Sequence, residues 1–320
     1  MSPLLDKISK FLFGRGIFTR AAGQEEILRF FFKDPIKFFR VFLFLISVRN
    51  KKHPVLLNDR ELKKRLSQKR RHRKKVKFLG TKRKPMVSIA LFGCNRLEFL
   101  EKNYNSFQKY LKKYGKTFDY EYIFMHDGPN KKIEQWAKKR KFDKVIFNKK
   151  NMGLYYQMDN FIFNIAKGKY LIPIQEDHVC KFEDNFIRNA IEILDENQDV
   201  GIVRIERRNA LDHLSWATTK KIGCNVLSRR VFSTKSGHKY RLVEENILHG
   251  KLYADFAIFK SEAFDMMDGK LDVAGVHPYK KEGIIAERFN RFWMGARGIS
   301  QKDSPFLHVA PSKGCEEWEK

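Results

Sequence analysis

The sequence predicts an α/β protein, a mostly parallel central sheet flanked by helices with a basic helical N-terminal extension. Three observations carry this. From Met86 onward, short apolar runs of strand character alternate with segments of helical periodicity. The chain has 320 residues, 42% of them hydrophobic, enough for one large or two ordinary domains with a real core. Its charge is unevenly placed: residues 1–85 hold 25 Lys or Arg and 6 Asp or Glu, which is +19 of the net +28 and leaves +9 for the other 235 residues. The chain therefore divides into an extension and linker, 1–85, and a body, 86–320.

The extension opens with SPLLDKISKFLF, where Ser2 is a candidate N-cap, Pro3 stands at the first helical position, and Leu4, Leu5, Ile8, Phe11 and Leu12 keep helical spacing. A Phe-rich segment follows, interrupted by Lys33, Asp34, Lys37 and Arg40 and kinked at Pro35. The uncharged run after Arg40 is far below the roughly 20 residues a spanning helix needs. Such a segment can lie in a bilayer interface with its cations on anionic headgroups, or pack on the body. No cleavable signal pattern is present. QKRRHRKKVKFLGTKRKP then reads as a solvated, extended linker ending at Pro85.

In the body, MVSIALFG is a strand and LEFLEKNYNSFQKYLKKYG a helix with Leu97, Leu100, Tyr104, Phe107 and Leu111 on one stripe. YEYIFMHDG, DKVIFNK, KYLIPIQ and VGIVRIER are the next strands; NKKIEQWAKKRK, GLYYQMDNFIFNIAKG and NFIRNAIEILDEN are the helices between them. Ligands of such sheets bind beyond the C-terminal strand ends. Polar groups gather there: Gly93-Cys94-Asn95-Arg96, His126-Asp127-Gly128, Asn151-Met152-Gly153 and Glu176-Asp177-His178. The chain lacks the G-x-G-x-x-G of dinucleotide folds and the P-loop. Cys94, Cys180, Cys224 and Cys315 are scattered with no CxxC spacing, so neither a zinc ribbon nor a disulfide framework is indicated, and a reducing, cytoplasmic setting fits.

Taken together, SIALFGCNR, YIFMHDGPN, NKKNMGLYYQMDNFIFNIAKGKYLIPIQEDH and KKEGIIAERFNRFWMGARG resemble glycosyltransferases of the GT-A fold, family 2 and the N-acetylglucosaminyltransferase-like enzymes above all. The resemblance covers roughly residues 86–310, with a nucleotide-sugar half to about 210 and an acceptor half beyond. It implies that Asn95 and Arg96 lie against the nucleotide and that Asp127 matches the base-binding Asp. It also implies that Asn151, Gly153 and Asn160 pass close to the nucleotide sugar, and that Glu176-Asp177-His178 falls on the acidic triplet. In the family the last triplet position ligates a divalent metal; here it is His178, an imidazole that suits Mn²⁺ better than Mg²⁺. As local structure alone, Glu176 and Asp177 could simply cap the following helix.

The resemblance also implies a general base at a helix start in the acceptor half, for which Glu282 is the first candidate and Glu287 the second. Glu287, flanked by Arg288 and Arg291, has an alternative as an ion-pair partner. His308 lies where some GT-A enzymes place a His on the metal or diphosphate, and Lys313 could help neutralise the leaving group. His126, His213 and His277 receive no role, and Trp216, Trp293 and Trp318 stack on sugars or fill the core.

The expected activity is transfer of a sugar from a nucleotide-diphosphate donor to a hydroxyl of a glycan or lipid-linked glycan, with inversion and with Mn²⁺ or Mg²⁺ as cofactor. The expected location is the cytoplasmic face of a membrane, held peripherally on its anionic surface through residues 1–85. The sequence also admits two rival readings. A nucleotidyltransferase would want a Gly-rich phosphate loop that FGCNRLE lacks; a basic nucleic-acid-binding protein fits the charge, although no recognised nucleic-acid module accompanies it.

Overall fold

The computed structural model describes residues 55–75, 84–181, 184–207, 226–244, 257–266, 278–300 and 306–308. The helices read from residues 1–50, together with His213, Trp216, His277, Lys313 and Trp318, lie outside the described residues. Leu56–His213 and Asn225–Lys320 form one compact unit; of the other, Met1–Val55 with Leu214–Cys224, only Val55 is described. Among the described residues no helix is long and apolar enough to cross a membrane.

Strand β1 (Val55–Leu57) leads into helix α1 (Asp59–Lys75). A capping box starts the helix: Asn58 Oδ1 accepts from the Glu61 N–H at 2.9 Å, and Glu61 Oε2 accepts from the Asn58 N–H at 3.1 Å. The basic run expected to be an extended linker is helical over residues 68–75. The reason is that part of its charge is buried against acids of the body. Lys69, 5% exposed, pairs with Glu244 at 3.1 Å, and Arg70 and Arg73 each reach Asp199 at 2.5 Å. Burial opposes ionisation of Asp199, but the hydrogen bonds and charges of Arg70 and Arg73 outweigh it and hold the carboxyl below its usual range.

The body continues in chain order with β2 (Lys84–Gly93), α2 (Leu97–Tyr114), β3 (Tyr120–His126), α3 (Lys131–Lys138), β4 (Lys144–Phe147), α4 (Leu154–Asp159), β5 (Gly168–Gln175) and β6 (His178–Cys180). Then follow α5 (Phe186–Glu196), β7 (Val200–Arg207), β8 (Val226–Ser228), β9 (Phe232–Ser233), β10 (Lys239–Glu244), β11 (Ile258–Lys260), α6 (Ser261–Asp265), α7 (Pro278–Phe292), β12 (Met294–Ser300) and β13 (Phe306–His308). The segment read as one helix after Gly153 is α4 followed by a π-helical turn, Asn160–Ile165.

Among the described residues one sheet has the order β1-β8-β10-β12-β7-β11-β5-β2-β3-β4, with β9 on β10, and β13 pairs β6 separately. β2 is parallel to β3 and β5, β3 to β4, and β7 to β12; β11 is antiparallel to both β5 and β7. Strands β4, β3, β2, β5, β7 and β12 therefore point one way and end on one edge, which is the mostly parallel sheet the sequence predicts. Ile89, Ala90, Leu91, Ile123, Phe124, Leu171 and Ile172 are 0% exposed, as strands covered on both faces must be.

Two apolar layers cover the sheet. On one, Tyr104, Tyr122, Phe124, Trp136 and Phe142 form a set of ring contacts, with Phe107 and Tyr110 beside them. On the other, Phe161, Phe259, Phe264, Ile285, Phe289 and Trp293 enclose Ala90, Ile123, Leu171 and Ile202. Trp293 is thus a core residue at 2% exposure. The last carbonyls of α7, which have no partner within the helix, receive Lys69, His72 and Arg73 of α1 at Asn290, Arg291 and Phe292.

Candidate active site

Register brings the motifs together. Gly93 is level with His126, and Phe92 with Gln175, so Cys94, Asp127 and Glu176 leave adjacent strands at the same edge. The loop from β2 folds over the end of β5. Glu176, 3% exposed, accepts from the Cys94 N–H at 2.7 Å and from Arg96 Nε at 2.5 Å. The same guanidinium donates from Nη2 to Asp177 Oδ2 at 3.2 Å. One cation thus bridges two carboxylates. Burial still raises the Glu176 carboxyl above its usual range, because desolvation exceeds what the Cys94 N–H and Arg96 return.

The triplet is not a helix cap. Helix α5 starts at Phe186 with Asn185 as its cap, whose side chain accepts from the Arg188 N–H at 3.4 Å; His178 instead opens β6. Asn103, 0% exposed on α2, supports the turn from below, donating to the carbonyls of Gln175 at 2.9 Å and His178 at 2.5 Å.

Asp127 organises the neighbouring loop. Its Oδ1 accepts from Asn148 Nδ2 at 3.1 Å and from the Met152 N–H at 2.7 Å, and its Oδ2 accepts from the Gly153 N–H at 2.7 Å. The Asn151-Met152-Gly153 segment is thereby drawn onto the end of β3. Gly128 and Gly153 take φ of 99° and 85°, a left-handed backbone that glycine adopts without a Cβ penalty. His126 locks the base of this arrangement: Nδ1 lies 2.6 Å from the Gly128 carbonyl oxygen and Nε2 against that of Cys94. Asn95 Oδ1 accepts from Asn130 Nδ2 at 3.2 Å, tying the β2 loop to the cap of α3. Asn160 begins the π-helical turn, its Oδ1 accepting from Asn164 Nδ2 at 3.1 Å.

Asp177 Oδ1 and His178 Nδ1 stand 3.1 Å apart, side by side at the edge. Among the described residues no group of three or more His, Cys, Asp or Glu side chains could hold a metal ion. A carboxylate and an imidazole side by side nevertheless fit a cation that takes its remaining ligands from substrate phosphates and water, and the imidazole suits Mn²⁺ better than Mg²⁺. His308 is opposite His178 in the β13–β6 ladder, and its side chain lies outside the description.

The acceptor-half carboxylates are placed by α7. β12 starts level with Val200, the first residue of β7, so the C-terminal end of α7 lies where those strands begin. Glu282 lies near the opposite end of the helix; its side chain is outside the description. Glu287, halfway along, is exposed and makes no ion pair with Arg288 or Arg291.

Sequence reading passes over three groups that build this site: Asn103, His126 and the bridging geometry of Arg96. A buried Asn one turn and a half into an amphipathic helix is a weak signal that could have pointed to the first.

A family model described as glycosyl transferase family 2 matches residues 88–267. No curated protein sequence matches the chain. Among solved structures, S. aureus TarS 1-349 is similar at 13% identity and TM-score 0.44, over 69% of this chain and 59% of that one. The same protein in complex with UDP-GlcNAc gives 12% identity and TM-score 0.44, over 70% and 60%. The mannosyltransferase PcManGT from Pyrobaculum calidifontis, in complex with GDP-Man and Mn²⁺, gives 11% identity and TM-score 0.46, over 80% and 68%. The chain thus spans about 59% of the length of the first of these structures.

Proposed function

The chain belongs to glycosyl transferase family 2, and from that premise we propose an inverting transfer from a nucleotide-diphosphate sugar to a glycan or lipid-linked hydroxyl at the cytoplasmic face of a membrane. The observation that carries the site is the Arg96 bridge across Glu176 and Asp177 at the C-terminal edge of the sheet. Family membership also favours glycosyl over nucleotidyl transfer.

In this reading the donor's nucleotide lies along Asn95, Arg96 and the loop that Asp127 holds, with Asn151, Gly153 and Asn160 beside the sugar. Arg96 faces the diphosphate, so its charge opposes the negative charge that accumulates as the bond from the anomeric carbon to the diphosphate oxygen breaks. Glu282 takes the proton of the acceptor hydroxyl while that oxygen forms the new bond to the anomeric carbon from the opposite face. Asp177 and His178, with His308 as a further candidate, would hold a divalent cation, Mn²⁺ or Mg²⁺. When bound, such a cation supplies further neutralisation of the leaving diphosphate. Residues 1–85, with 25 cations, are the segment proposed to meet the membrane.

The test is slow hydrolysis of UDP-, GDP- and CMP-sugars with Mn²⁺, Mg²⁺ or EDTA, in wild type and in folded Asp177→Ala, His178→Ala and Glu282→Ala. Loss on the order of a hundredfold is expected for Asp177→Ala, and at least tenfold for the others. Hydrolysis unchanged in all three would overturn the site.

A further inference from the structure

Helix α1 separates its cations onto two faces. At about 100° per residue, Leu62, Arg65, Lys69, His72 and Arg73 share one side. Those side chains reach Glu244, Asp199 and the carbonyls at the end of α7. Arg60, Lys63, Lys64, Arg71, Lys74 and Lys75 occupy the opposite side; all six are exposed and none forms an ion pair within the described residues. No acid interrupts them, since Glu61 is engaged in the capping box and Asp59 lies on the flank. Lys63, Leu66, Ser67, Arg70, Arg71 and Lys74 line a pocket of about 590 Å³.

From Arg60 to Lys75 the stripe is about 22 Å long at 1.5 Å per residue. It is also rigidly carried, because Lys69, Arg70 and Arg73 fix α1 to the body. Like charges held on one rigid face repel each other, and an anionic surface relieves that repulsion. We infer that the outward face of α1 is the electrostatic contact of this enzyme with an anionic phospholipid surface. The stripe presents no aromatic side chain on which a nucleic acid base could stack, and the Phe-rich segment before it in sequence suits a lipid interface. Because α1 is bolted to the C-terminal end of α7, where β7 and β12 begin, contact through this face brings that edge of the sheet to the bilayer. The inference rests on the proposed membrane location and names the surface responsible.

The experiment is vesicle flotation of the full chain on phosphatidylcholine alone and on phosphatidylcholine with 30 mol% phosphatidylglycerol (about 0.1 M salt, within the screening range of surface charges). Wild type is compared with Lys63→Gln/Arg71→Gln/Lys74→Gln and with a charge-matched control, Lys112→Gln/Lys113→Gln/Lys116→Gln at the end of α2. Each cation near an anionic surface changes partitioning roughly fivefold, so the stripe variant is expected to lose on the order of a hundredfold while the control loses far less. Donor hydrolysis should be unchanged in both. A stripe variant that binds like wild type would overturn the role of α1 while leaving attachment through residues 1–50 standing. A wild type that floats with neither vesicle, or that prefers RNA to anionic vesicles in competition, would overturn both the stripe and the membrane location.

Discussion

Arg96 holds the two buried carboxylates of the triplet together, and its removal has a predictable cost. Arg96→Gln leaves Glu176 and Asp177, 3% and 7% exposed, without the cation between them. Breaking a partly buried pair from one side is expected to destabilise the protein by about 2 kcal/mol at pH 7, less than a fully buried pair because Arg96 is partly exposed. The folded-state pKa of Glu176 is already raised, so the folded protein binds this proton more tightly than the unfolded chain, and loss of Arg96 raises it further. The stability gap between variant and wild type should therefore narrow from pH 7 to pH 5 in urea titrations; a gap that widened would contradict the arrangement. Cys94, beside Glu176, has its thiol pushed up to about 11 by burial, with the Glu176 charge adding to the effect. It should remain unalkylated by iodoacetamide in native protein at pH 8, read by mass spectrometry, under conditions that modify an ordinary exposed thiol.

At the scale of elements, α2 supports the site and α1 anchors to the opposite edge of the sheet, and neither carries the proposed chemistry. Asn103 on α2 donates to both Gln175 and His178 carbonyls, so Asn103→Leu should remove a buried donor shared by the two ends of the triplet turn. A loss of about 2–3 kcal/mol in chemical denaturation is expected, with a larger proportional loss of donor hydrolysis because the triplet turn is displaced. Helix α1 is held by its acids: Asp199→Asn removes the shared partner of Arg70 and Arg73 and should cost about 3 kcal/mol. Amide hydrogen exchange should then rise first over residues 59–75, since those amides depend on the anchored helix.

For the whole molecule, pH offers a check on how tightly the layers close. Lys260 on β11 is 7% exposed and donates to the Asn197 carbonyl at 3.2 Å; burial lowers its amine to about 8, against a partial opposing effect of Glu262. Between about pH 8 and the ordinary lysine value of 10.5, the unfolded chain holds this proton and the folded protein does not. Stability attributable to Lys260 therefore rises with pH across that window, by on the order of 3 kcal/mol. Lys260→Met should abolish this rise relative to wild type, and equal slopes in the two proteins would show that the amine is solvated.

Much of this protein is legible in its sequence because the signals are local. Strand runs such as YLIPIQ, the helical stripe of α2 and the order of the polar strand ends each depend on residues close together in the chain, and they suffice for the α/β class and for Asp127, Glu176 and Asp177 at one edge. Only the tertiary structure decided what those residues touch. Arg96 bridges the triplet across 80 positions, and the basic run of α1 is partly buried because Asp199 and Glu244, more than 120 residues away, offset its repulsion. Charge along a sequence shows that repulsion exists; the position of the opposing charge in space determines whether the run extends or folds.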